Sequence, residues 1–150
     1  MMDSYGDTLL RLCTVMLKNG DTARDAVQDT FIKAYRALPR FRGDCSELTW
    51  LTAIAMNVCR DYMRRSWFRT VLYAEPPDVP TEESFSDDTV LNEVMNLPDR
   101  LKSAVLVRYY ENLSLDECAK VLKISKSTVK KRLSGATKIL RERLKEWYYE

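Results

Sequence analysis

One segment of the chain has residue types suited to binding a polyanion. Residues 120–145 carry ten lysine or arginine side chains against a single acid, Glu142. Residues 70–90 show the opposite bias, with six acids and no basic residue. Because clustered positive charge attracts the phosphates of nucleic acids, we interpret residues 120–145 as a DNA-binding element. The acidic segment would avoid a polyanion or imitate one.

Residues that ordinarily perform catalysis or bind metals are scarce. The chain has no histidine, which removes the commonest general base, and its four glycines form no phosphate-binding loop. Zinc ligands usually come in close pairs, whereas the four cysteines are far apart in sequence. We therefore expect no enzymatic activity, no metal and no cofactor. We interpret the cysteines as reduced, buried thiols, which are Cys13, Cys45, Cys59 and Cys118.

The composition is that of a soluble globular protein, with 45% hydrophobic and 31% charged residues in 150. No apolar run reaches the roughly 18 residues that span a bilayer. The first residues lack the basic start and apolar core of a signal peptide. We therefore expect a cytoplasmic protein without direct membrane insertion.

The basic segment coincides with a predicted helix-turn-helix over residues 114–133. Ser114 and Glu117 have the spacing of a capping box, which would start its first helix. Ser125 or Ser127 would cap the second helix, whose first turns are rich in hydroxyl and basic side chains. A helical hairpin with a solvated basic face is the alternative, and the charge cluster favours DNA binding.

Apolar periodicity predicts three helices before the acidic segment. The first covers residues 3–18, the second runs from Asp21 until Pro39 ends it, and the third starts at a capping box of Asp44 and Glu47. The apolar face of the second helix comprises Ala26, Val27, Phe31, Ala34, Tyr35 and Leu38.

After the acidic segment we expect a short helix at 89–96, then a helix from Pro98 to Glu111. The buried face of the latter would comprise Leu101, Val105, Leu106 and Tyr109. The predicted fold class is all-α, with two small helical domains joined by an acidic linker and a C-terminal helix-turn-helix. The expected boundaries are 1–66 for the first domain, 67–88 for the linker and 89–150 for the second domain.

Seven short motifs occur in order on both sides of the acidic segment. They are DAVQDTFIKAYR at 25–36, FRGD at 41–44, TWL at 49–51, IAMN at 54–57, LPDR at 97–100, VRYY at 107–110 and STVK at 127–130. The first four resemble the promoter-melting domain of extracytoplasmic-function (ECF) sigma factors of the sigma-70 superfamily. The last three resemble the domain of these factors that binds the minus-35 promoter element.

This resemblance implies a bacterial transcription initiation factor. Such a factor would bind core RNA polymerase, recognise the minus-10 and minus-35 elements of promoter DNA, and promote DNA melting. An anti-sigma factor is a further partner that the family leads us to expect. The acidic segment would then thread toward the RNA exit channel of the polymerase.

The resemblance also assigns roles to individual residues. The polymerase would be bound by Asp25, Gln28, Asp29 and Lys33. A base flipped from the minus-10 element would be received by Phe41, Arg42, Gly43, Asp44, Cys45, Ser46 and Asn57. The phosphates of that strand would be held by Arg60, Arg64 and Arg65. The minus-35 element would be contacted by Ser125, Ser127, Thr128, Lys130, Lys131 and Arg132.

Three aromatic residues are candidates for stacking on bases: Trp50, Trp67 and Phe68. Core packing is the favoured interpretation for Trp50. The chain departs from the family where Lys123 replaces a frequent glycine in the turn and where Ser134 and Gly135 replace a bulkier pair. It also begins later than most members, which usually have a further helix before Tyr5.

Two other functions fit parts of the sequence. A stand-alone helix-turn-helix regulator would bind duplex DNA without polymerase and would usually dimerise on a palindrome. The polar face of the second helix and the acidic linker would have no role in it. A protein-interaction adaptor would use the basic helix for an acidic partner and would bind no DNA at low salt.

Overall fold

The computed structural model describes the backbone of residues 2–73 and 89–148 and the side chains of residues 4–72 and 90–144. Every regular element in these ranges is helical, which confirms the all-α expectation. The chain divides into two compact units, residues 1–83 and 84–150. Most of the predicted acidic linker, residues 74–88, lies outside the described residues.

Unit 1 is built from three mutually packed helices: α1 (Met2–Leu17), α2 (Gly20–Ala37) and α3 (Glu47–Tyr73). A short 3-10 helix, Leu38–Arg40, follows α2. The core of unit 1 includes Leu9, Leu12, Cys13, Met16, Ala26, Phe31, Leu51, Val58 and Cys59. The Cys13 and Cys59 Sγ atoms lie 3.6 Å apart, and their hydrogen bond, with burial, raises the pKa of Cys13. Cys13, Cys59 and Cys118 are free and buried, as the sequence predicted, whereas Cys45 is free but half-buried, so its predicted burial is wrong.

The cap of α3 differs from the predicted one. Asn19 caps α2, because its Oδ1 accepts the backbone N–H groups of Asp21 and Thr22. The predicted capping box of Asp44 and Glu47 is wrong. Residues 43–45 form a bend, and the Ser46 Oγ accepts the backbone N–H of Thr49 at 3.1 Å. The first turn of α3 therefore starts two residues later than Asp44 would place it.

Helix α3 continues to Tyr73, so residues 67–73, which we assigned to the linker, are helical. No glycine or proline interrupts the chain between residues 47 and 73. The sequence pattern missed this extension because its large apolar side chains are exposed rather than packed at helical spacing. Trp67, Phe68, Val71 and Leu72 are 59%, 45%, 55% and 64% exposed.

Three residues of the predicted apolar face of α2 lie outside the core. Tyr35 is 80% exposed, Leu38 is 40% exposed and Val27 is half-buried. Helix α2 buries small residues instead, including Ala23, Ala26 and Ala34. The buried face of α2 is therefore rotated away from Tyr35. Leu38 lies past the last turn of α2.

Unit 2 contains α4 (Thr89–Met95), α5 (Asp99–Val105), a π-helical turn (Leu106–Tyr110), α6 (Leu115–Leu122) and α7 (Lys126–Tyr148). Helix α7 packs against α4, α5 and α6. The core includes Val94, Leu97, Ala104, Val105, Leu106, Val107, Cys118, Val121, Leu122, Val129, Leu133 and Ala136. Lys102 is also fully buried, with its Nζ 3.5 Å from Asp99 Oδ1.

Of the four predicted core residues here, Val105 and Leu106 are buried, Leu101 is half-buried and Tyr109 is exposed, the last because of the π turn. The backbone N–H of Glu111 donates to Leu106 O across five residues, which adds one residue to this turn. The extra residue shifts the register, so Val107 is buried and Tyr109 is 59% exposed.

The Glu111 carboxyl group provides a pH-dependent prediction. Its Oε2 is buried and has no hydrogen-bond partner among the described residues, and burial raises the pKa of this group. A raised folded pKa means that the contribution to stability is present at acidic pH and is lost as pH rises. We therefore expect Glu111→Gln to raise Tm at pH 7, because the amide carries no charge to desolvate. Thermal unfolding at pH 4 and pH 7 checks this, and an equal gain at both values would contradict it.

Gly135 lies in the interior of α7, and its environment has room for a methyl group. A Cβ at this position would meet Leu101 Cδ2 at 3.8 Å, which is ordinary van der Waals contact. We expect Gly135→Ala to stabilise unit 2 by about 1 kcal/mol, because alanine loses less backbone entropy in a helix. Hydrogen exchange of the α7 amides would slow about fivefold. Faster exchange would show that the added methyl strains the contact between α5 and α7.

Candidate polymerase- and promoter-binding surfaces

The four candidate polymerase-binding residues of α2 divide into two groups. Asp25 and Gln28 are exposed and face solvent. Asp29 and Lys33 point toward α3: Tyr62 donates its hydroxyl hydrogen to Asp29 Oδ2 at 2.5 Å, and Lys33 Nζ lies 4.0 Å from Asp61 Oδ2. The structure thus leaves Asp25 and Gln28 free to meet a partner, while Asp29 also holds α2 against α3.

Tyr62 remains a hydrogen-bond donor over the whole range of ordinary pH. Burial, followed by the hydrogen bond to Asp29, raises the pKa of Tyr62 to about 12. The Arg65 guanidinium lies 5.3 Å from the centre of the Tyr62 ring. The Asp29 carboxylate is therefore held in one place rather than moving freely on the helix surface.

Sequence reasoning missed two exposed apolar residues beside Asp25 and Gln28. Ile32 follows Gln28 by one helical turn and is 45% exposed, and Tyr35 follows by another and is 80% exposed. Tyr35 was assigned to the core because it matched the apolar pattern. We call the surface of Asp25, Gln28, Ile32 and Tyr35 the outer face of α2.

The candidate base-binding loop, residues 41–46, is fixed at both ends. The Phe41 ring stacks on Trp50 of α3, with centroids 4.7 Å apart and planes at 28°. At the other end Ser46 caps α3. Between them Gly43 has φ +75°, a conformation that a side chain would strain. The loop is therefore anchored while its central residues stay exposed.

Trp50 is half-buried, so its predicted place in the core is only partly right. Its ring supports the loop through Phe41. Asn57 follows Trp50 by two helical turns on the same face of α3, about 10 Å along the axis. Trp50, which supports the loop, and the half-buried Asn57 side chain thus lie along one line of α3.

Arg60 and Arg64 continue this line at helical spacing and are exposed. Arg64 contacts Asp61 Oδ1 at 2.7 Å. Surface ion pairs of this kind contribute little and exchange readily with a phosphate partner. Asn57, Arg60 and Arg64 therefore form one polar stripe, which we call the α3 stripe.

The candidate minus-35 residues lie at the turn between α6 and α7. Ser125 caps α7, since its Oγ accepts the backbone N–H of Thr128 at 3.2 Å, and it contacts the Ser127 and Thr128 hydroxyls at 3.1 and 2.8 Å. This decides between the two serines that could cap the helix. The cap leaves the Ser127 hydroxyl exposed near the start of α7.

The basic residues of α7 that are candidates for binding the minus-35 element differ in their exposure. Lys130 and Lys131 are exposed, whereas Arg132 is half-buried. Lys131 lies opposite the buried Val129 and Leu133, and Lys130 lies to one side of them. Ser127 shares the exposed side. We call Ser127, Lys130 and Lys131 the recognition face of α7.

The turn before α7 is held by its backbone. The predicted capping box of α6 is confirmed, because Ser114 Oγ accepts the N–H of Glu117 and Glu117 Oε1 accepts the N–H of Ser114. Lys123 has φ +58°, the left-handed conformation for which glycine is commonest. The N–H groups of Lys123 and Ile124 donate to Ala119 O. The lysine that departs from the family pattern thus retains the turn geometry.

Two kinds of feature are absent from the described ranges. No cluster of three or more histidine, cysteine, aspartate or glutamate side chains there is arranged to hold a metal ion. No helix within residues 2–73 or 89–148 is long and apolar enough to cross a membrane.

The first unit carries the α3 stripe, and the second unit carries a helix-turn-helix with a basic recognition face. This combination is typical of a DNA-binding transcription factor. The protein-family model for Sigma-70 region 2 matches residues 1–69, and the family model for Sigma-70, region 4 matches residues 88–140.

Full-length relatives agree with both matches. The ECF RNA polymerase sigma-E factor of Haemophilus influenzae is 28% identical, over 96% of this chain and 85% of its own. SigW of Bacillus subtilis is 29% identical, over 97% and 88%. The sigma-E factor of Escherichia coli is 31% identical, over 88% and 78%.

Solved structures show the same fold. The sigma factor RpoE of Bartonella quintana, in complex with the anti-sigma factor NepR, gives a TM-score of 0.76 at 23% identity, over 97% of this chain and 98% of its own. CnrH, in complex with the cytosolic domain of CnrY, gives 0.70 at 25% identity, over 97% and 85%. The chain belongs to the ECF sigma factors of the sigma-70 family, which are transcription initiation factors.

Proposed function

We propose that the two units divide the work of transcription initiation among the surfaces described above. The outer face of α2, with Asp29 and Lys33 at its edge, binds core RNA polymerase. The loop 41–46 and the α3 stripe take up the minus-10 element. The recognition face of α7 reads the minus-35 element. One observation supports this proposal most strongly: the same chain has two surfaces suited to DNA. The first is an anchored, exposed loop beside the α3 stripe, and the second is a capped helix on which Lys130 and Lys131 are exposed.

Promoter opening in this proposal uses binding energy alone. Unpairing and flipping a base costs a few kcal/mol, and capture of that base in a pocket offsets the cost. The loop is suited to this because Phe41 and Ser46 hold its ends, so little further ordering is needed on binding. No catalytic step is assigned to any residue, in keeping with relatives that are sigma factors.

Each unit is expected to bind DNA weakly by itself. Core polymerase would hold both units at the separation of the two promoter elements, so that the second contact becomes intramolecular. This coupling raises the overall affinity without any new contact and makes promoter recognition dependent on polymerase.

The proposal also covers where the protein acts and which partner regulates it. The proposed site of action is the cytoplasm, where bacterial RNA polymerase and the chromosome are found. The structures of RpoE with NepR and of CnrH with the cytosolic domain of CnrY support an anti-sigma factor as a further partner. We propose that such a protein competes with the polymerase for this chain.

The test is a pull-down of bacterial core RNA polymerase, followed by run-off transcription from a pool of promoter fragments. We expect stoichiometric association and new transcripts that share minus-10 and minus-35 sequences. Binding of palindromic duplex DNA by the free chain, without association with polymerase, would instead identify a stand-alone regulator. The family relationship does not favour that function, nor that of an adaptor.

A further inference from the structure

The last turns of α3 present an aromatic pair that the sequence pattern had assigned to a linker. Trp67 and Phe68 are 59% and 45% exposed. Their rings meet edge to face, with centroids 5.1 Å apart and planes at 81°. Two large rings that support each other while exposed form a preformed surface for a flat partner, because little side-chain freedom remains to be lost on binding.

The helical repeat places this pair in line with the α3 stripe. Phe68 follows Asn57 by eleven residues and Trp67 follows Arg60 by seven, each close to a whole number of helical turns, and α3 is continuous across the interval. At 1.5 Å per residue, Trp67 lies about 15 Å beyond Asn57 along the axis. The α3 stripe therefore continues into an aromatic surface on the same face of the helix.

The charge around the pair indicates the chemistry of its partner. Residues 60–69 contain four arginines, at 60, 64, 65 and 69, against one acid, Asp61. A purely apolar partner would gain nothing from this excess of positive charge. Aromatic rings among arginines are instead the combination that binds nucleic-acid strands, with phosphates held by guanidinium groups and bases stacked on rings.

We propose that Trp67 and Phe68 stack on promoter DNA at a position about four nucleotides from the captured base, extending the minus-10 surface along α3. The separation follows from about 15 Å of helix and about 3.4 Å per stacked nucleotide. This inference rests on the proposed use of the loop and the α3 stripe for the minus-10 element. It adds a contact that is independent of sequence, since every base has a face on which an aromatic ring can stack.

The test compares variants of the full chain in complex with core polymerase, on a promoter fragment forked at the minus-10 element. We expect Trp67→Ala and Phe68→Ala each to weaken DNA binding about tenfold, the usual effect of losing one stacked base. Trp67→Phe retains a ring and should bind like the wild type. Trp67→Leu retains apolar area without a ring and should lose affinity as Trp67→Ala does.

Leu72 separates stacking from the loss of apolar area. It is 64% exposed and lies one helical turn after Phe68, about 40° from it around α3, but it carries no aromatic ring. Leu72→Ala should therefore weaken DNA binding far less than Phe68→Ala. The slope of log affinity against log salt should also be unchanged by Trp67→Ala, because the indole contacts no phosphate, whereas Arg60→Ala should reduce it by about 0.7, the value for one phosphate of a single strand.

A fluorescent base analogue locates the contact. With 2-aminopurine placed at single positions on either side of the captured base, we expect quenching about four nucleotides away that disappears in Trp67→Ala. Wild-type affinity of Trp67→Ala for the fork, in a preparation that binds polymerase and transcribes, would overturn the inference and leave the proposed function intact.

Loss of polymerase affinity in Trp67→Ala, with unchanged DNA affinity of the assembled complex, would also overturn it by identifying a contact with polymerase. Failure of the wild type to associate with polymerase or to transcribe would instead count against the proposed function itself.

Discussion

Replacing Gln28 and Asp29 together by alanine is expected to abolish stoichiometric binding of core RNA polymerase. Gln28 is exposed on the outer face of α2, and Asp29 adjoins it at the edge. Truncating hydrogen-bonding groups that become buried in an interface costs about 2–5 kcal/mol each when a charged partner is left unpaired. The two changes together should weaken association by at least about 100-fold. Size-exclusion chromatography and titration of labelled polymerase measure the loss.

The internal bond of Asp29 determines the controls for this experiment. Alanine at 29 also removes the acceptor of the Tyr62 hydroxyl, which contributes about 1 kcal/mol to the packing of α2 on α3. Tyr62→Phe removes the same hydrogen bond and leaves the outer face intact. It should therefore bind polymerase like the wild type.

A second double variant separates docking from stability. Asp25→Ala with Gln28→Ala changes two exposed residues without a role in the contact between α2 and α3. We expect it to weaken polymerase binding with unchanged thermal stability. Normal association of both double variants would remove α2 as the docking element.

Replacing Lys130 and Lys131 by alanine is expected to weaken promoter binding far more than polymerase binding. Both ammonium groups lie on the exposed recognition face of α7, within two turns of its capped start. If each contacts a phosphate, the slope of log affinity against log salt falls by about 0.9 per lysine, or about 1.8 for the pair. The loss in affinity for a minus-35 duplex should be about 10–100-fold at moderate salt and smaller at high salt.

Arg100 in the same unit offers a control for the loss of one positive charge, half the charge change of the double lysine variant. It is exposed on α5, outside the helix-turn-helix, so Arg100→Ala removes one positive charge away from the recognition face. Its salt slope should equal that of the wild type. Equal losses of promoter and polymerase binding in the lysine variant would contradict the assignment of α7 as the recognition helix.

The sequence by itself determined the elements whose signals are local. The capping box of Ser114 and Glu117 and the helix-turn-helix follow from residue types at fixed spacing, and the wide separation of the cysteines indicated free thiols. The departure of Lys123 from glycine was visible in the sequence, although its left-handed conformation was not. The order of motifs on both sides of the acidic segment was sufficient to indicate the family, because seven short matches in order are far more specific than any one of them.

Tertiary structure decided which of these residues are free to bind. Periodicity placed Tyr35 in the core and could not foresee that α2 buries its small residues instead. It likewise missed the π turn that exposes Tyr109, because a one-residue insertion leaves no mark on composition.

The largest difference concerns Trp67 and Phe68. Helix formation there needs only the absence of breakers and continuation of a helix already formed, whereas pattern analysis detects helices by what they bury. An exposed extension is therefore invisible to it. The sequence made both rings candidates for stacking on bases, but only the structure shows that the extension brings them onto the face of Asn57 and Arg60.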